Sequence, residues 1–267
     1  MEKPRKIVAI ASGKGGVGKS TVTANLAVAL AARGLSVGLL DADIYGPSQG
    51  LMLGVADGTR PEQEGDKWLL PIEAYGIKTM SMSFLVNERT PTVWRGPMAA
   101  GALMQMLDQT KWGGLDVLLV DMPPGTGDIQ LTLSQKAALA GAVIVTTPQD
   151  IALLDARKGV EMFAKVEVPV LGVIQNMATH VCSECGHVDP VFGTDGGERL
   201  AADYGVPLLA SLPLSRLMRE HADSGRPVVA TAAASSEAAA YLAAADQLLT
   251  VLDGREAPVA PTITMGD

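Results

Sequence analysis

Several stretches of this 267-residue chain carry side chains able to do chemistry, and the first is Gly13-Lys14-Gly15-Gly16-Val17-Gly18-Lys19-Ser20-Thr21. Gly13, four residues, then Gly18-Lys19-Ser20 satisfies the phosphate-loop spacing. Glycines let successive backbone N–H groups turn inward around a polyphosphate, because no Cβ blocks the approach or forbids positive φ. Lys19 is then placed to reach the β and γ phosphates, and the Ser20 hydroxyl to ligate Mg²⁺. A helix starting near Lys19 adds the positive end of its dipole. Nucleotide contacts are therefore expected along the whole run from Gly13 to Thr21. Lys14 is an addition, since the pattern leaves its position open. Either it is solvated or touches the chain's own phosphates, or it points outward to phosphates held by a second subunit, as an arginine finger does in trans. The loop by itself holds these readings even.

Carboxylates follow at the ends of apolar runs. Val37 to Leu40 leads into Asp41-Ala42-Asp43, which places two acids at the carboxyl end of a strand, where α/β sheets put ligand sites. Asp43 is the better placed to orient an attacking or Mg²⁺-bound water; a turn aspartate before Gly46-Pro47 is the plainer alternative. Val117 to Val120 ends at Asp121, the Walker B arrangement, in which the acid holds Mg²⁺ directly or through water. The stiff turn Pro123-Pro124-Gly125-Thr126-Gly127 after it lies where a γ-phosphate sensor belongs. Asn176 closes another strand. Its amide matches the N6 and N7 edge of adenine as readily as it caps a turn.

Only Cys182 and Cys185 occur, in His180-Val181-Cys182-Ser183-Glu184-Cys185-Gly186-His187. Gly186 favours a metal knuckle over a redox dithiol. Two thiolates do not complete a four-ligand site. His180 and His187 sit closer than the usual Cys₂His₂ spacing, whereas two copies meeting on a two-fold axis supply four thiolates. Four thiolates suit zinc or a [4Fe–4S] cluster, and spacing does not choose.

The elements that must position these groups are legible as repeated βα alternation. Strands are expected at Ile7–Ala11, Val37–Leu40, Val117–Val120, Ala142–Thr147, Val170–Gln175 and Pro207–Leu212. Helices are expected at Ser20–Arg33, Gly96–Asp108, Ile151–Ala164, Leu214–Ser224 and Ser235–Leu252. This predicts an α/β fold with a mainly parallel sheet and helices on both faces. Residues 1–252 are read as a single ATPase domain bearing the metal segment at 180–187, and 253–267 as a flexible tail. Positions 57–92 are the least regular, with Trp68–Leu70 and Ile77–Met82 as possible strands, and are expected to cover one sheet edge. The methionines 80, 82, 98, 104 and 106 are read as core filler. A net charge of −8 speaks against a DNA-coating protein, and no apolar run reaches membrane-spanning length. With Met1 to Arg5 leading straight into a strand, the expectation is a soluble, cytoplasmic protein without nucleic-acid or membrane partners.

The paired Lys14 and Lys19 resemble the deviant Walker A motif of the MinD/ParA/nitrogenase iron-protein class of dimerising ATPases. Within that class, Asp41 to Ser48, Trp94 to Met98, the run Asp121-Met-Pro-Pro-Gly-Thr-Gly-Asp128, Pro148 to Asp150, Asp155 to Gly159, Asn176-Met177, Cys182-x-x-Cys185 and Phe192-Gly193 resemble the Mrp/ApbC family of iron–sulfur cluster carriers. The resemblance implies a P-loop NTPase fold and a homodimer that bridges a [4Fe–4S] cluster through Cys182 and Cys185 of both chains. Such a carrier hands the cluster to apo iron–sulfur proteins with use of ATP and Mg²⁺. It also implies Lys14 acting across the dimer, Ser20 as Mg²⁺ ligand, Asp43 orienting water, Asp121 as the Walker B acid, and Asn176 with backbone near Pro213 holding adenine. Two other readings stay open: a positioning or partition ATPase of the MinD/ParA type, and a zinc-stapled dimeric ATPase.

Overall fold

The computed structural model describes residues 2–65, 67–85, 96–182 and 184–254, with the backbone alone at 96 and 97. In chain order the strands are β1 (Lys6–Ala11), β2 (Val37–Asp41), β3 (Gln63–Glu64), β4 (Trp68–Leu69), β5 (Ile72–Ala74), β6 (Ile77–Ser81), β7 (Val117–Asp121), β8 (Gly141–Thr146), β9 (Val170–Gln175), β10 (His180–Val181), β11 (Val188–Asp189) and β12 (Leu208–Ser211). Eight of them form one sheet in the order β12-β9-β8-β1-β7-β2-β6-β5; β3 pairs with β4 and β10 with β11 outside it. Every neighbour in the main sheet is parallel except β5, which runs antiparallel along β6.

The helices are α1 (Lys19–Ala32), α2 (Gln49–Met52), α3 (Gly96–Gln109), α4 (Asp128–Lys136), α5 (Asp150–Lys165), α6 (Gly196–Asp203), α7 (Arg216–Asp223), α8 (Val228–Thr231) and α9 (Ser236–Asp253). Alternate residues of β1 divide between two cores. Ala9 and Ala11 face α3 to α6, while Val8 and Ile10 face α1 and α7 to α9. Helices on both faces explain why β2, β7, β8 and β9 are buried at every position and read as continuous apolar runs. In α1 the buried residues run from Val22 through Leu30 without a gap, because α9 packs on the side turned away from the sheet.

Positions 57–92 differ from expectation. They do not merely cover an edge: β5 and β6 are strands of the main sheet, and β6 lies parallel to β2. Their signal was weak because Lys78 breaks the apolar run; its ammonium leaves the sheet to reach the Trp112 carbonyl at 2.9 Å. Helices α4 and α6 were not anticipated either. The short α4 is polar, and α6 opens on Gly196-Gly197. Leu214 and Ser215 precede α7 rather than belonging to it. Of the methionines, Met80, Met82 and Met106 are buried, whereas Met98 is exposed. Trp94 and Arg95 lie outside the described residues, as does the expected tail from position 255, while Asp253 closes α9.

Candidate functional site

The carboxyl ends of β1, β2 and β7 meet the start of α1, and the sequence-predicted groups collect there. A cleft of about 210 Å³ is lined by Lys14, Gly15, Gly16, Gly18, Lys19, Ser20, Thr21 and Asp43, with Ser12, Ser48, Met52 and Pro124. Gly18 at φ 81° lets the loop turn into α1. Gly13 serves another purpose: a Cβ there would run into the backbone of Asp155 and Ala156, so its lack of side chain lets the loop lie on α5. Around Gly15 and Gly16 there is open space. The Lys14 side chain is half-buried on the cleft wall, and its ammonium makes no ion pair among the described residues.

Beneath the loop lies a buried polar cluster. The Lys19 ammonium reaches Asp121 Oδ1 at 2.5 Å and the Ser20 hydroxyl at 3.2 Å. Thr23 Oγ1 donates to the same Asp121 oxygen at 3.1 Å, and Gln49 Nε2 to the other at 2.8 Å. Asp41 stands opposite Asp121 on the neighbouring strand, and neither carboxylate has any exposed surface. Burial, and after it the charge of Asp121, pushes the Asp41 carboxyl up to about 7, against the opposing effect of backbone N–H groups from Gln49 and Asp43. Ser48 N, Gln49 N and Ser81 Oγ all donate to Asp41 Oδ2. Asp43 is directed differently: it is partly exposed, accepts from Gly46 N at 3.2 Å, and borders both the phosphate cleft and a neighbouring one walled by Tyr45, Pro124 and Asp128. Ser20 and Asp43 give the cleft oxygen donors of the kind a hard cation such as Mg²⁺ takes, and Asp121 lies buried beneath them on the Lys19 ammonium.

Two connections lead away from the loop. The turn after Asp121 is tied to it by Gly125 N on Ser12 O at 2.9 Å, and Gln130 holds the carbonyls of Pro123 and Pro124. On the other side Asn176 Nδ2 donates to Val17 O at 2.9 Å. That bond fixes the amide's orientation and leaves a second N–H and Oδ1 for a further partner. Six residues later the chain reaches Cys182. Met177 takes the left-handed conformation at φ 55°, and the segment is then laddered to the Pro213 loop by Ala178 N on Leu212 O and Leu214 N on Thr179 O. Pro213 itself borders a separate cleft with His180, Val181 and Glu237.

The cysteine segment is a two-stranded knuckle. Cys182 N donates to His187 O and Gly186 N to Cys182 O, both at 2.9 Å, with Gly186 at φ 71°. Cys185 is exposed and Cys182 partly so. Backbone N–H groups, that of Cys185 first and of Glu184 next, hold the Cys182 thiol below its ordinary range. Among the described residues no three His, Cys, Asp or Glu side chains converge as metal ligands, so His180 and His187 do not complete the cysteine pair within one chain.

A family model described as the NUBPL iron-transfer P-loop NTPase, of the ParA group, matches residues 3–249. The chain belongs to this family. This P-loop NTPase is 62% identical over 251 residues to an iron-sulfur cluster carrier protein of Pseudomonas fragi, an alignment covering 94% of this chain and 86% of the relative. It is 51% identical to the iron-sulfur cluster transfer protein NUBPL of Mus musculus, over 93% and 78% of the two chains. Among solved structures, a nucleotide-binding protein of Archaeoglobus fulgidus in complex with ADP superposes with a TM-score of 0.73 at 39% identity, over 83% of this chain and 87% of that one. The cell division ATPase MinD of Pyrococcus furiosus superposes at 0.68 and 25% identity, over 92% and 99%.

Motif reading of this NTPase missed the residues that hold the acids in place. Gln49 and Thr23 both donate to Asp121, yet neither belongs to a spacing pattern that names it. Thr23 carried a usable signal, since a Thr four residues after Lys19 lies on the same face of the helix. No helix among the described residues is long and apolar enough to cross a membrane.

Proposed function

We propose that this protein is an ATP-hydrolysing carrier that holds a [4Fe–4S] cluster as cargo between two copies of itself and passes it to apo iron–sulfur proteins. The observation that carries this reading is the knuckle: two accessible thiols with no third ligand among the described residues of their own chain, six residues downstream of an asparagine bonded to the phosphate loop. A second copy completes four thiolates. Its closing surface is supplied by elements around the loop that expose large apolar side chains, among them Tyr45, Ile151 and Leu154.

In this reading Lys19 leaves Asp121 for the phosphates, Ser20 ligates Mg²⁺, Asp121 holds it through water, and Asp43 orients the attacking water. Lys14 reaches across to the partner's nucleotide, and Asn176 with the backbone near Pro213 takes adenine. The Asp121–Asp128 turn senses the γ-phosphate through its bond to Ser12. Neither membrane nor nucleic acid is a partner, and the working compartment is the cytoplasm.

Anaerobic reconstitution followed by iron and sulfide analysis tests the proposal. About four of each per dimer are expected, with loss of the cluster in Cys182→Ala. A Cys182→Ala protein that keeps a full cluster overturns it. So does air-free protein that contains zinc alone and rejects iron and sulfide.

A further inference from the structure

Of the two residues in the buried cluster that no motif assigns, Gln49 joins both acids. Gln49 has no exposed surface, and its two ends meet different acids. Its backbone N–H donates to Asp41 Oδ2 at 3.0 Å. Its side-chain amide donates to Asp121 Oδ2 at 2.8 Å and to the main-chain carbonyl of Ser20 at 3.0 Å. Both amide hydrogens are thereby committed. The opposite orientation would set Oε1 against a carboxylate and a carbonyl, so the amide is locked with its donors toward Asp121. Oε1 accepts no hydrogen bond from the described residues, a cost the core bears to keep this arrangement.

We infer that Gln49 is the positioning residue of the magnesium site, clamping Asp121 to the Ser20 turn when Lys19 departs. The inference rests on the proposed ATPase reading. Among the described residues Asp121 has three donors: Lys19 and Thr23 on Oδ1, the Thr23 hydrogen being shared with the Lys19 carbonyl, and Gln49 on Oδ2. A phosphate that draws Lys19 away removes the cation from a fully buried carboxylate whose neighbour, Asp41, is a second acid. Neutral donors must then keep Asp121 in place. Thr23 fixes one oxygen. Gln49 fixes the other, and it alone also grips Ser20, whose hydroxyl is the other expected Mg²⁺ ligand. The span between the two ligands is thus set by one amide group.

Three proteins test the inference: wild type, Gln49→Met, which keeps length and loses the donor, and Gln49→Glu, which brings a further carboxylate to Asp121. Fluorescent ADP titrated in EDTA reports the loop; the same titration across a Mg²⁺ series reports the metal; ATPase against Mg²⁺ reports the reaction. Gln49→Met is expected to bind ADP in EDTA within about twofold of wild type while needing about tenfold more Mg²⁺ for half-maximal tightening and turnover, as losing one hydrogen bond to a charged group predicts. Gln49→Glu, whose ionised carboxylate cannot donate to Asp121, is likewise expected to bind ADP in EDTA within about twofold of wild type while its Mg²⁺ requirement shifts about tenfold. An unchanged Mg²⁺ requirement in Gln49→Met overturns the inference, as does equal weakening with and without the metal. Should Gln49→Met fail to fold, an unchanged Mg²⁺ requirement in Gln49→Glu is sufficient to overturn it. Failure of the underlying ATPase reading is separately visible as wild-type protein that neither hydrolyses ATP nor responds to Mg²⁺.

Discussion

Replacing Lys19 by methionine isolates the electrostatics under the loop. The Lys19 ammonium lies 2.5 Å from Asp121, with the two side chains 6% and 0% exposed. Removing one member of a buried pair costs on the order of 3–5 kcal/mol, because the other charge stays buried without its counterion. Here Thr23 and Gln49 still donate to Asp121, which places the expected loss near the lower end, at about 3 kcal/mol. In a domain of this size each kcal/mol moves Tm by about 2–4 °C, so a fall of about 6–12 °C is expected. Adding Asp121→Asn to Lys19→Met removes the orphaned charge and recovers much of the loss, a coupling of about 2 kcal/mol in the double-mutant cycle. The assay is urea unfolding of nucleotide-free protein in EDTA at pH 8. A Lys19→Met protein within about 0.5 kcal/mol of wild type, with additive effects in the cycle, refutes the reasoning.

Asp41 gives a pH signature. Its folded-state value of about 7 lies above that of an unfolded aspartate, so the stability it contributes is fully present below about pH 4 and is lost as pH rises through 7. The stability difference between wild type and Asp41→Asn should therefore fall by about 4 kcal/mol at most across that window; a flat difference in urea unfolding at stepped pH contradicts the assignment. Gly13→Ala, which forces a Cβ into the backbone of α5, should cost about 1–3 kcal/mol or more and loosen nucleotide binding. Gly15→Ala, with open space around it, should stay within about 0.5 kcal/mol; equal thermal melts for the two variants would undo that distinction. Lys14→Ala should lose most ATPase activity while binding fluorescent ADP nearly as wild type does, and equal loss of both would make Lys14 a contact to its own chain's phosphates.

The parts of the fold legible in the sequence are those whose burial is uniform. β2, β7, β8 and β9, and β1 from Val8 onward, announce themselves because helices on both faces bury every position, and α1 and α9 because alanine lets them pack tightly together. β5 escapes notice because an edge strand is held by its neighbour's backbone more than by its own side chains. β6 is legible only as a possible strand, because Lys78 interrupts its apolar run and is tolerated by snorkelling out to Trp112. At the site, the loop, Asp41, Asp43 and Asp121 were legible because phosphate and cation chemistry constrain residue type at fixed spacing. Gln49 was not: its role comes from a tertiary meeting of the helix after β2 with the end of β7, which no local spacing encodes.

The same distinction bears on how the loop and the cysteines communicate. On one side the Asp121–Asp128 turn holds the loop through Gly125 and Ser12. The coordinates add a shorter route. Asn176 bonds the loop at Val17, and every step from it to Cys182 is restrained by Met177 in a left-handed conformation and by the ladder to Leu212 and Leu214. A non-glycine residue held there costs on the order of 1–2 kcal/mol, comparable with the Asn176 bond that helps to hold it. Displacement of that bond therefore gives Met177 a reason to relax, and the residues it would move lead directly into the knuckle. The Asn176 bond to the loop and the knuckle thus lie on one segment, whereas the Asp121–Asp128 turn meets the loop on its other side, at Ser12.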